Sequence, residues 1–278
     1  MSLKLMLITN KPEIAVVAQT VGINRIFVDL EKTGKLERQG HLDTVISSHS
    51  LDDVSLIRGV IDKSKLLVRI NPIHENSNVE IEEVISRGAD ILMLPMFKTS
   101  QEVSTFVKLV DGRARTCLLL ETAQALVRID QVLNVDGIDE IHIGLNDLHL
   151  SMGLDFMFEL LSGGIIDYVC GKIKNKGIEY GFGGIAKLGT GQLPAEDIIK
   201  EHYRLGSGMV ILSRGFFNNH DTRLNITGIR KELSLRVEEI RNFENSLVGF
   251  SEENYLLNNI EMSRKVCSIV ENKERVNV

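Results

Sequence analysis

The 278-residue chain carries a formal net charge of −6, with 43% apolar and 25% charged residues, the balance of a soluble protein able to bury a large core. With a sequence pI of about 5.7 it has no basic field to hold nucleic acid, so a small anionic ligand would need a local cluster of donors. No apolar run approaches the ~18 residues of a spanning helix, and the amino terminus lacks a basic segment followed by an apolar core; no membrane partner and a cytoplasmic location are expected.

The length is close to the roughly 250 residues of one α/β barrel. Short β-branched apolar runs alternate with longer amphipathic segments, which predicts βαβ units and a parallel sheet. Eight strands are expected: Leu3 to Thr9, Arg25 to Leu30, Lys65 to Ile70, Asp90 to Met96, Thr116 to Glu121, Glu140 to Gly144, Glu179 to Phe182 and Gly208 to Ser213. Their continuous apolar character, as in LLVRI and CLLLE, suits strands covered on both faces. Helical patterns lie between them at Val79 to Arg87, Gln101 to Val110, Ala123 to Leu133, Phe158 to Lys176 and Ala195 to Leu205. Ser100 with Glu102 reads as a helix start, and Pro194 as a first-turn proline. The expected fold is an α/β (β/α)8 TIM barrel over residues 1–250, with a C-terminal helical extension at 251–278.

Two helical stretches follow the last strand, Thr222 to Asn245 and Glu252 to Val270, more than one closing helix needs. They suggest either an oligomer contact or helices packed on their own barrel. Cys117, Cys170 and Cys267 lack paired metal spacing and read as buried or incidental thiols.

In a parallel barrel the chemistry sits at the carboxyl ends of the strands. The second strand ends in Asp29, Glu31 and Lys32, the third in Arg69 and Asn71, the fifth in Glu121, and the sixth leads into Gly144, Asn146 and Asp147. Glu121 and Asp147 could converge on one hard cation, and could equally be helix caps or ion-pair partners. Arg69, behind an apolar run, needs a carboxylate or a developing enolate oxygen; an ion pair with Asp29 or Glu31 is the plainer alternative. The GLNDL turn could present backbone amides to a carboxylate.

Together these residues resemble the HpcH/HpaI aldolase and citrate lyase family, over roughly residues 10 to 215. The matching pieces are FVDLE, the arginine of LLVRIN, GADILMLPMFKTSQEV, the glutamate of LLLET, and IGLNDLHLSMG followed by FGGI. The resemblance implies a phosphoenolpyruvate/pyruvate-binding barrel in which Glu121 and Asp147 hold a divalent metal, magnesium first, with manganese or cobalt as alternatives. It makes Arg69 the group that stabilises an enolate oxygen, and the amides of Gly144, Asn146 and Asp147 the substrate carboxylate's cradle. The implied activity is that of a class II aldolase, a carbon-carbon lyase working on a 2-keto acid with an aldehyde as partner, in a homo-oligomer.

The chain departs from the aldolase pattern at Lys32, where members that cleave hydroxy-keto acids carry a histidine. A lysine, which titrates near about 10.4, would need burial or the nearby Arg69 to serve as base. His41 and His49, in RQGHLDTVISSH, are candidate replacements from a loop over the barrel mouth. Leu119 is a second departure, at a position polar in some relatives, while His142 and His149 flank the sixth strand without an assigned role. Two alternatives follow: an acyl-CoA lyase like the citrate lyase β-subunit, or a keto-acid-binding barrel without catalysis.

Overall fold

In the computed structural model, which describes residues 2–32, 49–217 and 225–276, eight parallel strands close on themselves in sequence order. They are β1 (Lys4–Ile8), β2 (Arg25–Asp29), β3 (Lys65–Arg69), β4 (Ile91–Leu94), β5 (Arg115–Leu120), β6 (Glu140–Ile143), β7 (Glu179–Ile185) and β8 (Met209–Leu212). Pairing of Lys4 with Met209 and of Leu7 with Leu212 joins the last strand to the first. All eight expected strands form, and the fold is a (β/α)8 TIM barrel with additional C-terminal helices.

Alternation along each strand sorts the side chains into two cores. Met6, Phe27, Leu67, Ile91, Met93, Cys117, Leu119 and Met209 fill the barrel, and their neighbours point outward into a larger core under the helices. At the amino-terminal end of the barrel, Arg25 reaches across to Glu140 with two hydrogen bonds of 2.6 and 2.9 Å, and Arg115 adds one of 3.0 Å. Arg25 and Glu140 are buried, so this end is plugged by a desolvated ion pair.

The helices are α1 (Pro12–Thr20), α2 (Leu51–Arg58), α3 (Ser77–Ser86), α4 (Ser100–Val110), α5 (Ala123–Val127), α6 (Ile129–Val132), α7 (Leu145–Ser151), α8 (Glu159–Ser162), α9 (Ile165–Asn175), α10 (Ala195–Leu205), α11 (Ile226–Ser246) and α12 (Glu252–Val276). The start of α4 is a capping box in which Thr99 and Glu102 satisfy each other's amides. Pro194 is the N-cap of α10 rather than its first helical residue, because its ψ of 139° is extended.

Two expected helices are broken. The Phe158–Lys176 pattern divides into α8 and α9 at Gly163 and Gly164, the latter in the left-handed region that glycine reaches freely. The Ala123–Leu133 pattern divides at Arg128, whose guanidinium turns back to the Lys98 carbonyl at 2.9 Å. The Thr222–Asn245 pattern is described from Asn225, the N-cap of α11.

Both tail helices pack on their own barrel, α11 along α1 and α12 along α10 and α8. The α12 contact combines buried Met262 and Val266 with a polar seam. Asn258 donates to Glu201 at 3.2 Å, Asn259 donates to the other oxygen of Glu201 at 2.9 Å, and Lys265 pairs with Asp197 at 2.5 Å. No described helix is long and apolar enough to cross a membrane.

Candidate active site

Phe27, Leu67 and Leu119 face the barrel interior, so the residues two further along, Asp29, Arg69 and Glu121, face it too, at the carboxyl end. Arg69 donates from Nε to Asp29 Oδ1 and from Nη2 to Asp29 Oδ2, both at 2.8 Å, while Nη1 lies 3.3 Å from Glu31 Oε2. The guanidinium carbon also sits 5.7 Å from the Phe27 ring centre. Burial works against the charge, but Asp29 and Glu31 outweigh it and hold Arg69 protonated. Both ion-pair partners proposed from the sequence are therefore in place, and the fork is fixed in one orientation.

Glu121 is 2% exposed and accepts the Met96 amide at 3.1 Å. Burial holds its carboxyl well above the usual range; Asp147 and Glu31 push it further up, against the pull of Arg69 and the Met96 amide. Gly144 is what leaves it room. A Cβ on residue 144 would lie 2.9 Å from both Glu121 Cβ and Oε2 and 3.3 Å from Leu119 Cδ1. Asn146 and Asp147 occupy the first turn of α7, ahead of its first internal bond from the Leu148 amide to the Gly144 carbonyl.

The loops around this centre are tied together. Thr122 Oγ1 donates to the Phe97 carbonyl at 2.8 Å and accepts the Ala125 amide, and the Ala123 amide donates to Ser151. On the other side Asn71 accepts the Lys32 amide at 2.9 Å and is itself held by Glu80, which also takes His74 at 3.1 Å.

Lys32 is exposed, so the burial that a basic role calls for is not there. His41 lies outside the described residues. His49 is buried with Nδ1 accepting the Asp29 amide at 2.9 Å, which leaves the proton of its neutral ring on Nε2. His142 is fully buried, its Nε2–H donating to the Gly183 carbonyl at 3.0 Å, and His149 bonds the Leu145 carbonyl within α7. Sequence reasoning missed Met96, whose φ of 54° turns the chain so that its amide meets Glu121. Pro95 before it marks a turn but not its handedness.

Asp29, Glu31, Glu121 and Asp147 bring four formal negative charges against the single positive charge of Arg69, an excess of negative charge that a divalent cation would largely offset. Among the described residues no group of three or more His, Cys, Asp or Glu side chains could cage a metal. The two carboxylates Glu121 and Asp147 suit instead a hard ion such as magnesium that completes its shell with water and substrate oxygens.

Comparison with known proteins agrees with this architecture. Among solved structures, an HpcH/HpaI aldolase from Desulfitobacterium hafniense DCB-2 superposes with a TM-score of 0.60 at 14% identity, covering 76% of this chain and 86% of the neighbour. An HpcH/HpaI aldolase/citrate lyase family protein from Burkholderia cenocepacia J2315 gives 0.61 at 14%, covering 76% and 88%. Citrate synthase SbnG gives 0.60 at 15%, covering 88% and 95%. At such identities these likenesses speak for the fold. Comparison with curated proteins gives no match. The model of the HpcH/HpaI aldolase/citrate lyase family matches residues 3–158, more than half of the sequence, and the chain belongs to that family.

Proposed function

We propose that the protein is a divalent-metal-dependent carbon-carbon lyase of the class II aldolase kind, acting on a 2-keto acid through a pyruvate enolate. The observation that carries this reading is Arg69, clamped by Asp29 and Glu31 beside the buried Glu121. Glu121 and Asp147 would hold the metal, which supplies Lewis acidity toward the keto acid. Arg69 cannot rotate away or lose its proton, so its charge is preorganised for an enolate oxygen. The amides at the start of α7, around Asn146 and Asp147, offer a substrate carboxylate its donors. Proton transfer falls to a base other than exposed Lys32. His49, whose Nδ1 accepts the Asp29 amide and whose Nε2 therefore carries the ring proton, can donate a hydrogen bond to substrate but is not that base.

The test is exchange of pyruvate's methyl protons for deuterium, followed by NMR with magnesium, manganese or cobalt, beside Glu121→Gln and Arg69→Ala. Exchange that needs metal and both side chains supports enolate chemistry. Metal-dependent pyruvate binding without exchange sinks it in favour of a binding barrel. The family whose model matches joins HpcH/HpaI aldolases with citrate lyase, which supports a second reading, cleavage of an acyl thioester. A rise in melting temperature with a coenzyme A thioester, absent with pyruvate, would favour it.

A further inference from the structure

Among the described residues only Met96 and Asp111 combine a side chain with a φ in the left-handed region. Asp111 caps the end of α4, where a short polar side chain tolerates that conformation. Met96 has no such reason. Its turn is needed, because it brings the amide to Glu121, but glycine would make the same turn without the steric penalty of a Cβ. The segment is also fixed rather than yielding: Thr122 holds the Phe97 carbonyl, Arg128 the Lys98 carbonyl, and Glu102 the amides of Lys98 and Thr99. A methionine kept on a strained, pinned backbone implies that its side chain contributes something.

Among the described residues that contribution is not core packing. Met93, three residues earlier, is fully buried inside the barrel, whereas Met96 is half-buried and joins neither of the two apolar clusters. Its backbone amide is fixed on the Glu121 carboxylate, so the side chain springs from the chain next to that group, and among the described residues it belongs to neither apolar cluster. Methionine is unbranched and polarisable, and adapts to apolar groups of varied shape.

We infer that Met96 is a specificity-determining residue whose side chain forms the apolar wall of the substrate subsite beside Glu121, taking the alkyl substituent of a 2-keto acid longer than pyruvate. The inference rests on the keto-acid reading above and goes beyond it in naming the side of the substrate that is recognised.

The test uses the full chain labelled with 13C at the methionine methyls. The Met96 signal is assigned by its loss in Met96→Leu, and the buried Met262 of α12 serves as reference. With magnesium present, 2-oxobutanoate should move the Met96 methyl more than pyruvate does and leave Met262 in place. In Met96→Gly, which relieves backbone strain and so should fold, the preference for 2-oxobutanoate over pyruvate in Kd should fall at least five-fold. A Met96 methyl that stays put while both acids bind overturns the inference, as does a Met96→Gly variant that weakens both acids alike. If neither acid binds with any metal, the keto-acid reading fails and the inference falls with it, an outcome distinct from binding that bypasses Met96.

Discussion

Replacing Gly144 by alanine adds one carbon where the structure has no room for it. The backbone there, φ −82° and ψ 89°, is open to any residue, so the cost is steric. The new Cβ would stand 2.9 Å from Glu121 Cβ, an atom that cannot swing aside as a side-chain terminus can, and 2.9 Å from Oε2, which can. Relief requires strand β5 to shift or Glu121 to leave its rotamer, and overpacking of this kind costs about 1–3 kcal/mol. For a chain of this size that is about 2–12 °C in melting temperature. The larger effect should fall on the metal: moving one of the two proposed protein ligands should weaken manganese binding about 10–100-fold, the range found when the support of a ligand is disturbed. Thermal melts with and without manganese, and a manganese titration by electron paramagnetic resonance, measure the two effects separately. Gly153→Ala is the control, since Gly153 has a φ of +70° and nothing within 4 Å of an added Cβ. It should cost about 1–2 kcal/mol of backbone strain and leave the metal alone. Manganese affinity within two-fold of wild type in Gly144→Ala would refute the placement of Glu121 as a ligand packed against residue 144.

Arg69→Ala leaves Asp29 and Glu31 buried without their cation and should lose about 3–5 kcal/mol; denaturant melts of the variant beside wild type decide it. Arg25→Leu leaves the buried Glu140 with only the half-exposed Arg115 as partner and should cost up to about 3–5 kcal/mol, and adding Glu140→Leu should restore most of it; a double variant no more stable than the single would contradict the plug. His202, stacked on Phe182 at 3.9 Å and bonded to Ser207, is held neutral by burial, its pKa lowered to about 3. The unfolded ring takes up a proton below its ordinary value of about 6.5, so the stability it contributes is full above that pH and lost as pH falls toward 3. At pH 5 the loss is about 2 kcal/mol, and the drop between pH 7 and pH 5 should be smaller by that amount in His202→Phe.

The barrel was legible in the sequence because parallel strands buried on both faces read as apolar runs, unbroken in LLVRI, ILMLP, CLLLE and MVILS, while β6 and the glycine-rich β7 were placed by their spacing in the alternation. The residues at their ends were legible for the same reason: Arg69 and Glu121 stand out as charges where the apolar run stops. What the pattern could not supply was geometry that depends on neighbours distant in the chain. Arg69 and Asp29 are forty positions apart, and their two-point contact follows from the register of β2 against β3, in which those two residues pair. Strand β4 ends at Leu94, short of the expected Met96, because Pro95 has no amide to donate and Met96 turns left-handed. The breaks at Gly163 and at Arg128 likewise interrupt segments whose apolar spacing runs straight through them, since periodicity reports a face and not the continuity of the helix that bears it.

The seam between α10 and α12 has a consequence for how the tail finds its place. The buried residues of α12 recur every four positions, Asn258, Met262 and Val266, so sliding the helix by one turn would again set a methyl-bearing side chain against the barrel. Apolar contact alone barely distinguishes the two settings. The bonds from Asn258 and Asn259 to the two oxygens of Glu201, and from Lys265 to Asp197, can all form in one setting only. These polar groups add little to the strength of the joint and a great deal to its uniqueness, acting as a key that indexes twenty-five residues of helix to one position along the barrel wall.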